Sequence, residues 1–437
     1  MKKLIHFLSL KIKYILLIYV VIQLVLIFFT DINYRSDALY YYRLADECIE
    51  LNEFYPAEKH LFEDYLVAPL YINILIILLK INNSTIVVSL FNLFIVLATI
   101  FFLFKISSKI FSEHAARLTI IILMLYLNTI GLVLQNYTEL LFTFFIVSSV
   151  YFATLSKKSL LLISGILSGS AIAVRPLGWA ILLAFIALQI LATIKTKKII
   201  FDYFLIYAGT LTFIMLFGLF TYSHFGRFEY TATTGPVNLL IGANDDATGG
   251  FNSIIYEKGK AGYLENPGAL TYLEKGAFYR EQALKWIEEN PLKWLLLTPM
   301  KLIHSYGWDD ISLSYLLGYD VNFLRVVKIV FEEGSFNNAL PDTSLTEKIL
   351  YFTILISSHF YYYSLLTAIV LGIFYLYKRK LLSDPMKLII LFTFFSTLMI
   401  TIVVGTPRYK YPTFILLLPF AANFIQLKFE SGKKDNE

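Results

Sequence analysis

The side chains able to do acid–base or phosphate chemistry in this 437-residue sequence fall into four short groups. The first runs Asp31-Ile-Asn-Tyr-Arg-Ser-Asp37-Ala38 and continues through Tyr40, Tyr41, Arg43 and Glu47. A carboxylate at Asp37 has two readings: it caps the helix that follows, or it serves as a general base toward a hydroxyl. Helical spacing sets Tyr40 and Tyr41 beside it, at i+3 and i+4. The second group is Gln135-Asn-Tyr-Thr-Glu139, whose acid either favours a helix N-terminus by about 0.3–1 kcal/mol or belongs to a site. The third is Arg175 in Val174-Arg-Pro-Leu-Gly, and the fourth is Arg408-Tyr409-Lys410 between Pro407 and Pro412. Arginine presents a planar fork of donors that matches phosphate oxygens. The bland alternative for these cations is snorkelling toward lipid headgroups. Other polar residues carry less. His224, His304 and His359 have no metal-ligand spacing, Asp245, Asp246, Gly249 and Gly250 read as a turn, and Asp309/Asp310 read as solvated before they read as a cation site. Cys48 is the sole cysteine, which excludes an intrachain disulfide and a cysteine metal cluster.

The elements that position these groups are apolar. Hydrophobic residues make up 57% of the chain and charged residues 16%, against about 25% charged in a soluble domain. With 38 Phe and 31 Tyr, much aromatic surface should meet lipid or its interface. This composition predicts an all-α polytopic membrane protein and excludes a soluble nucleic-acid binder. Apolar runs lie near 14–30, 84–104, 117–134, 139–155, 159–174, 177–194, 199–222, 350–377, 386–404 and 409–427, with a shorter run at 66–80 that contains Pro69. A basic start precedes the first run, and no small-residue cleavage site follows it, so it reads as an uncleaved helix.

Lysine and arginine cluster at Lys105/Lys109/Arg117, Lys157/Lys158, Lys195/Lys197/Lys198, Lys378/Arg379/Lys380 and Lys428/Lys433/Lys434. All five satisfy the positive-inside tendency with cytoplasmic termini only if 66–80 does not span. The expectation is about ten transmembrane helices in one domain covering 1–437, with 66–80 lying in or dipping into the outer interface. Two long extracytoplasmic segments follow, 31–83 and 223–348, with a cytoplasmic tail at 431–437. Within 223–348, an amphipathic stretch around Tyr279–Trp294 and an apolar patch around Trp294–Ile303 read as helices on the membrane surface, with a further pair of spans as the alternative. Gly165 and Gly169 form a Gly-x-x-x-Gly spacing that predicts close helix packing. Asp37, Arg175, Arg408 and Lys410 then share the outer ends of helices.

Several stretches together resemble the GT-C-fold glycosyltransferases, in particular the group containing glycosyltransferase family 39, the protein O-mannosyltransferases and the lipid A aminoarabinose transferases. In that pattern a short acidic motif follows the first membrane helix, with Tyr four residues on and Ala eight on; here these are Asp37, Tyr41 and Ala45. Tyr137-Thr-Glu-Leu-Leu-Phe, Ala173-Val-Arg-Pro-Leu-Gly, Asn238 through Phe251, Ala283 through Trp294, and Arg408-Tyr-Lys-Tyr-Pro match in the same order. The chain departs from the pattern at Ala38, where many relatives have Glu. Either Asp37 works alone, or Asp31, Asp46 or Glu47 supplies a second carboxylate.

The resemblance implies a sugar donor on a polyprenyl phosphate and transfer outside the cytoplasm, to an acceptor hydroxyl on a glycan, a lipid or a protein. Asp37 would be the base. Arg175, Arg408, Tyr409 and Lys410 would hold the departing phosphate, with Tyr40, Tyr41 and Glu139 in support. No organic cofactor is implied, and a divalent metal is left open without being indicated. The alternatives are a transporter or flippase of lipid-linked sugars, which would favour internal repeats and polar groups at mid-membrane depth, and a ligase or polymerase of lipid-linked glycans. A prokaryotic cytoplasmic membrane is the expected location.

Overall fold

In lipid, every backbone N–H and C=O must be satisfied within the protein, and a helix does this locally. The computed structural model describes residues 11–155, 157–198, 200–309, 311–317, 329, 332 and 344–434, and among these every regular element is helical. In chain order the helices are α1 (Ile12–Phe29), α2 (Ser36–Glu50), α3 (Pro69–Ile81), α4 (Thr85–Ile110), α5 (Glu113–Met124) and α6 (Leu127–Val133). They continue with α7 (Glu139–Ala153), α8 (Lys158–Val174), α9 (Trp179–Thr196), α10 (Tyr203–Phe225), α11 (Gly235–Ile241) and α12 (Tyr272–Glu289). The last are α13 (Pro291–Leu296), α14 (Thr298–Tyr306), α15 (Ile311–Leu316), α16 (Leu345–Lys378), α17 (Asp384–Ile402) and α18 (Tyr411–Lys434).

By length and composition 6 helices can cross a membrane: α1, α4, α9 with its preceding turn, α10, α16 and α17; α5 and α6, bent by 61°, make up to 7 if taken as one span. The chain is therefore an integral membrane protein. The apolar runs at 139–155 and 159–174 are helices of 15 and 17 residues. At 1.5 Å per residue they reach about 22–26 Å, short of a hydrocarbon core of about 30 Å, so the expected count of about ten does not follow from length.

The run at 66–80 becomes α3, of 13 residues, about 20 Å long. Its length agrees with a segment that does not span. It is also an interior helix: Tyr71, Ile72, Leu75, Ile76 and Leu79 are buried, and α2, α4 and α8 pack on it. Asn73 makes that seat specific by donating to Tyr55 O (2.6 Å) and Pro69 O (2.9 Å) and accepting from Tyr55 N (2.9 Å).

Gly165 and Gly169 do mark a close crossing, that of α8 with α10. A Cβ on Gly169 would lie 2.9 Å from Thr210 O, and one on Gly165 would overlap Ile206 O. The approach lets the Thr210 hydroxyl donate to Gly165 O at 3.0 Å. Beyond α10, Thr271 and Glu274 form a capping box that starts α12 earlier than the amphipathic stretch suggests. Helix α12 buries Tyr272, Lys275, Tyr279 and Ala283 on one face, while α13 leaves Leu292, Leu295 and Leu296 uncovered. Residues 431–434 extend α18, so the tail begins as helix; 435–437 and most of 318–343 lie outside the described residues, as does Asp310.

Candidate active site

Proline shapes the backbone at two of the four groups. Pro176 disfavours helix at the residue before it, so α8 stops with Arg175 extended at φ −149°. Pro407 opens a 3₁₀ turn over Pro407–Lys410 that carries Arg408 between α17 and α18. Asp37 lies in the first turn of α2, and Glu139 is the first residue of α7. The turn before α7 sets the register of all these parts. Asn136 donates to Ala38 O at 3.0 Å and accepts from the Tyr71 hydroxyl at 2.7 Å, which ties α2 and α3 together. Asn92 on α4 donates to Gln135 O at 2.9 Å.

The four charged groups meet in one chain. Arg175 Nη1 lies 2.8 Å from Glu139 Oε1, Arg408 Nε lies 3.5 Å from the same oxygen, and Arg408 Nη2 bonds Asp37 Oδ2. Each guanidinium also stacks on a ring: Arg175 on Tyr409 at 4.8 Å and Arg408 on Tyr137 at 4.3 Å. Two cations and two anions cancel, which is what allows them to be held at low exposure. Exposure rises from Glu139 outward in both directions, and furthest at Asp37. The Glu139 side chain is 1% exposed, Arg175 13%, Arg408 16% and Asp37 44%. Asp37 is thus the end of the chain that reaches outward, and Glu139 is the buried pivot, with its Oε2 buried and without a hydrogen-bond partner.

The second carboxylate near Asp37 is Glu139, reached through Arg408. Asp31, Asp46 and Glu47 are engaged elsewhere, with Asn33 (3.5 Å), Asn83 (3.1 Å) and Lys59 (2.5 Å). Ala38 has no exposed surface, so a carboxylate at that position would be buried against the 136 turn. Tyr40 donates to Glu63 Oε2 at 3.3 Å. Tyr41 meets the edge of Tyr71 at 6.0 Å, and burial followed by the charge of Asp37 raises its phenol well above the usual range. Tyr65, which carried no signal in the sequence, feels Asp37 next after burial, and together these raise it to about 12. Tyr137 was visible only as part of its motif.

Lys410 is turned away from this chain. Its ammonium lies 3.2 Å from Asp309, with both side chains 1% exposed. It also bonds Trp308 O and sits over the Tyr362 ring at 4.7 Å. Asp309 accepts from Tyr126 and from Asn128 (3.3 Å). The reading of Asp309 as a solvated loop acid is therefore corrected: it is a buried partner. At three residues per turn, side chains two apart in a 3₁₀ turn point in different directions, which separates Arg408 from Lys410. The turn at Asp245 and Asp246 is as expected, with Asn244 Oδ1 accepting from Asp246 N at 2.8 Å. Among the described residues no group of three or more His, Cys, Asp or Glu is placed to hold a metal. Asp37 and Glu139 share the Arg408 guanidinium.

No family model matches the chain, and no curated protein matches it. Among solved structures, that of the Archaeoglobus fulgidus oligosaccharyltransferase in the apo form covers 97% of this chain with a TM-score of 0.52 and 15% identity. The same protein in complex with zinc and sulfate covers 92% with a TM-score of 0.47 and 13% identity. The chain spans about half of that protein's length, 51% in the first alignment. The likeness shows the fold: an all-helical, GT-C-like membrane protein.

Proposed function

We propose that this protein is a membrane glycosyltransferase that moves a sugar, a hexose or a pentose, from a polyprenyl-phosphate donor to an acceptor hydroxyl, with Asp37 as general base. The observation that carries the reading is the ion chain, a set of two cations and two anions of which Asp37 is the most exposed member. The resemblance of the acidic motif to family 39 and the GT-C-like fold support it. The site then faces the extracytoplasmic side of a prokaryotic membrane, where a lipid-borne donor enters from the bilayer.

The chemistry follows from the arrangement. The acceptor O–H gives its proton to a free oxygen of Asp37 as its oxygen attacks the anomeric carbon. The bond from that carbon to the phosphate oxygen breaks, and its electron pair goes to the phosphate. A single displacement inverts the centre. Arg408 and Arg175 receive the growing charge, and the Tyr409 hydroxyl is a further donor. Arg408 is bonded to Asp37 before the donor arrives. A phosphate drawing Arg408 toward itself releases Asp37, so the base is freed only when there is a donor to use. Lys410 supports from behind by pinning the turn that carries Arg408. A second reading, transfer of a preassembled glycan, is favoured by the fold neighbour being an oligosaccharyltransferase.

The test uses purified protein, a radiolabelled polyprenyl-phosphate sugar and a cell-envelope extract as acceptor. Asp37→Asn should lower turnover by about 10²–10⁴-fold, and Arg408→Ala and Arg175→Ala should weaken donor binding. Wild-type donor affinity and rate in both arginine variants would remove the phosphate assignment. The size of the labelled product distinguishes one sugar from a preassembled chain.

A further inference from the structure

A cleft of about 250 Å³ lies far from Asp37, among the α7–α8 turn, α9, α10 and α17. Its place is fixed by α17. The C-terminal end of α17 leads directly to Arg408, and its first residue, Asp384, lines the cleft. The 19 residues between span about 28 Å, close to the thickness of a hydrocarbon core. The cleft therefore opens at the opposite membrane surface, at headgroup depth.

Its wall is apolar within and acidic at the rim. Leu161, Phe185, Leu188, Ile206 and Leu388 form the interior, and Asp202 and Asp384 stand at the mouth. Asp202 holds the N-cap position of α10 but makes no capping bond, and among the described residues no cation pairs with it. Asp384 has Lys387 at 2.8 Å and remains largely exposed. Tyr203 also lines the cleft, next to Asp202 in the chain. Outside this rim the chain is basic: Lys157 and Lys158 begin α8, and Lys195, Lys197 and Lys198 close α9.

An apolar slot in a membrane wall takes an acyl chain. The charge pattern selects its headgroup: a terminal ammonium bearing N–H donors for the two carboxylates at the mouth, joined to the acyl chains through a phosphate whose charge the flanking lysines offset. We propose that this cleft is a binding site for a phospholipid with a primary-amine headgroup, whose ammonium hydrogen-bonds Asp202 and Asp384. A trimethylated headgroup carries the same charge without donors, and an anionic headgroup without an amine meets two carboxylates. Both should bind less well.

The test is native mass spectrometry of the full-length protein titrated with phosphatidylethanolamine, phosphatidylcholine and phosphatidylglycerol of identical chains. Phosphatidylethanolamine should occupy one site at a concentration lower by about tenfold than the other two, the effect of one or two charge-assisted hydrogen bonds. Asp202→Asn with Asp384→Asn, both at exposed positions, should remove that preference and leave the protein folded. Leu188→Trp, which fills the slot, should remove the bound lipid altogether. Equal occupancy by all three lipids, tighter binding of phosphatidylglycerol, or a preference that survives the double asparagine variant would each overturn the proposal. Sugar transfer at the far end of α17 is not part of the readout, so this test stands apart from the enzyme assay.

Discussion

Replacing Glu139 with glutamine keeps its shape and removes the one charge that both arginines share. Arg175 is 2.8 Å away and Arg408 3.5 Å. At an effective dielectric of about 20, these separations correspond to attractions of roughly 6 and 5 kcal/mol before any desolvation is charged against them. Taking three groups out of water offsets much of that. What the substitution exposes is the remainder: two guanidiniums facing each other with one carboxylate, Asp37, to neutralise them. Breaking a buried pair in this way costs about 3–5 kcal/mol. Glu139→Gln should therefore lower the thermal unfolding midpoint in detergent, read by tryptophan fluorescence, by several degrees. Arg175→Gln alone should do the same by stranding the carboxylate. The double variant should lose less than the sum of the two, with a coupling of about 0.5–3 kcal/mol. A Glu139→Gln protein as stable as the wild type, or strictly additive losses, would refute the shared-pivot reasoning.

Three further outcomes follow from the same structure. Asp309→Asn should destabilise by about 3–5 kcal/mol because it removes the counter-charge of the buried Lys410 ammonium, whereas Asp309→Asn with Lys410→Met should recover much of that loss; denaturation midpoints of the two proteins decide it. Gly209→Ala should loosen the α8–α10 crossing, since its Cβ would overlap Leu162 O and meet Gly165 Cα at 3.1 Å, and it should raise protease sensitivity far more than Ala→Gly changes on exposed helix faces. His60 supplies a pH dependence: Nδ1 accepts from Ala57 N at 2.9 Å, and burial, then Lys59, lowers the imidazole to about 4. The unfolded chain takes up that proton below about 6.5, so this contribution is whole above that pH and is lost as the pH falls toward 4. Limited proteolysis of the 51–68 loop should accelerate across that window in the wild type and show a flatter profile in His60→Gln.

What the sequence showed was chemistry that stands out from an apolar background. Arg175 and Arg408 were visible because they break the charge pattern of the five basic clusters, Asp37 and Glu139 because each opens a helix, and the prolines beside the arginines showed where helices stop. Their meeting was not visible, because Arg408 and Asp37 are 371 residues apart and no local rule links them. Lys410 illustrates the limit at short range. It lies two residues from Arg408, yet the pitch of a 3₁₀ turn sends it to Asp309, a residue whose sequence context suggested only solvent. The glycine spacing at 165 and 169 transferred directly to the structure because close helix approach depends on side-chain size alone. The 66–80 run was legible as a short apolar helix opening at Pro69. Its burial was not, since an apolar helix covered by protein and one lying on lipid have the same composition. Tyr65 was illegible for a similar reason: nothing in its neighbourhood distinguishes it from the chain's other tyrosines until the loop is folded against α12.

The measurement that bears most directly on the central claim is transfer from a radiolabelled polyprenyl-phosphate sugar by Asp37→Asn, with donor retention measured on the same protein. Asparagine keeps the size of the side chain and an acceptor for Arg408, and it cannot take a proton. The account predicts that donor is still retained while transfer falls by about 10²–10⁴-fold. Wild-type transfer by Asp37→Asn would contradict it.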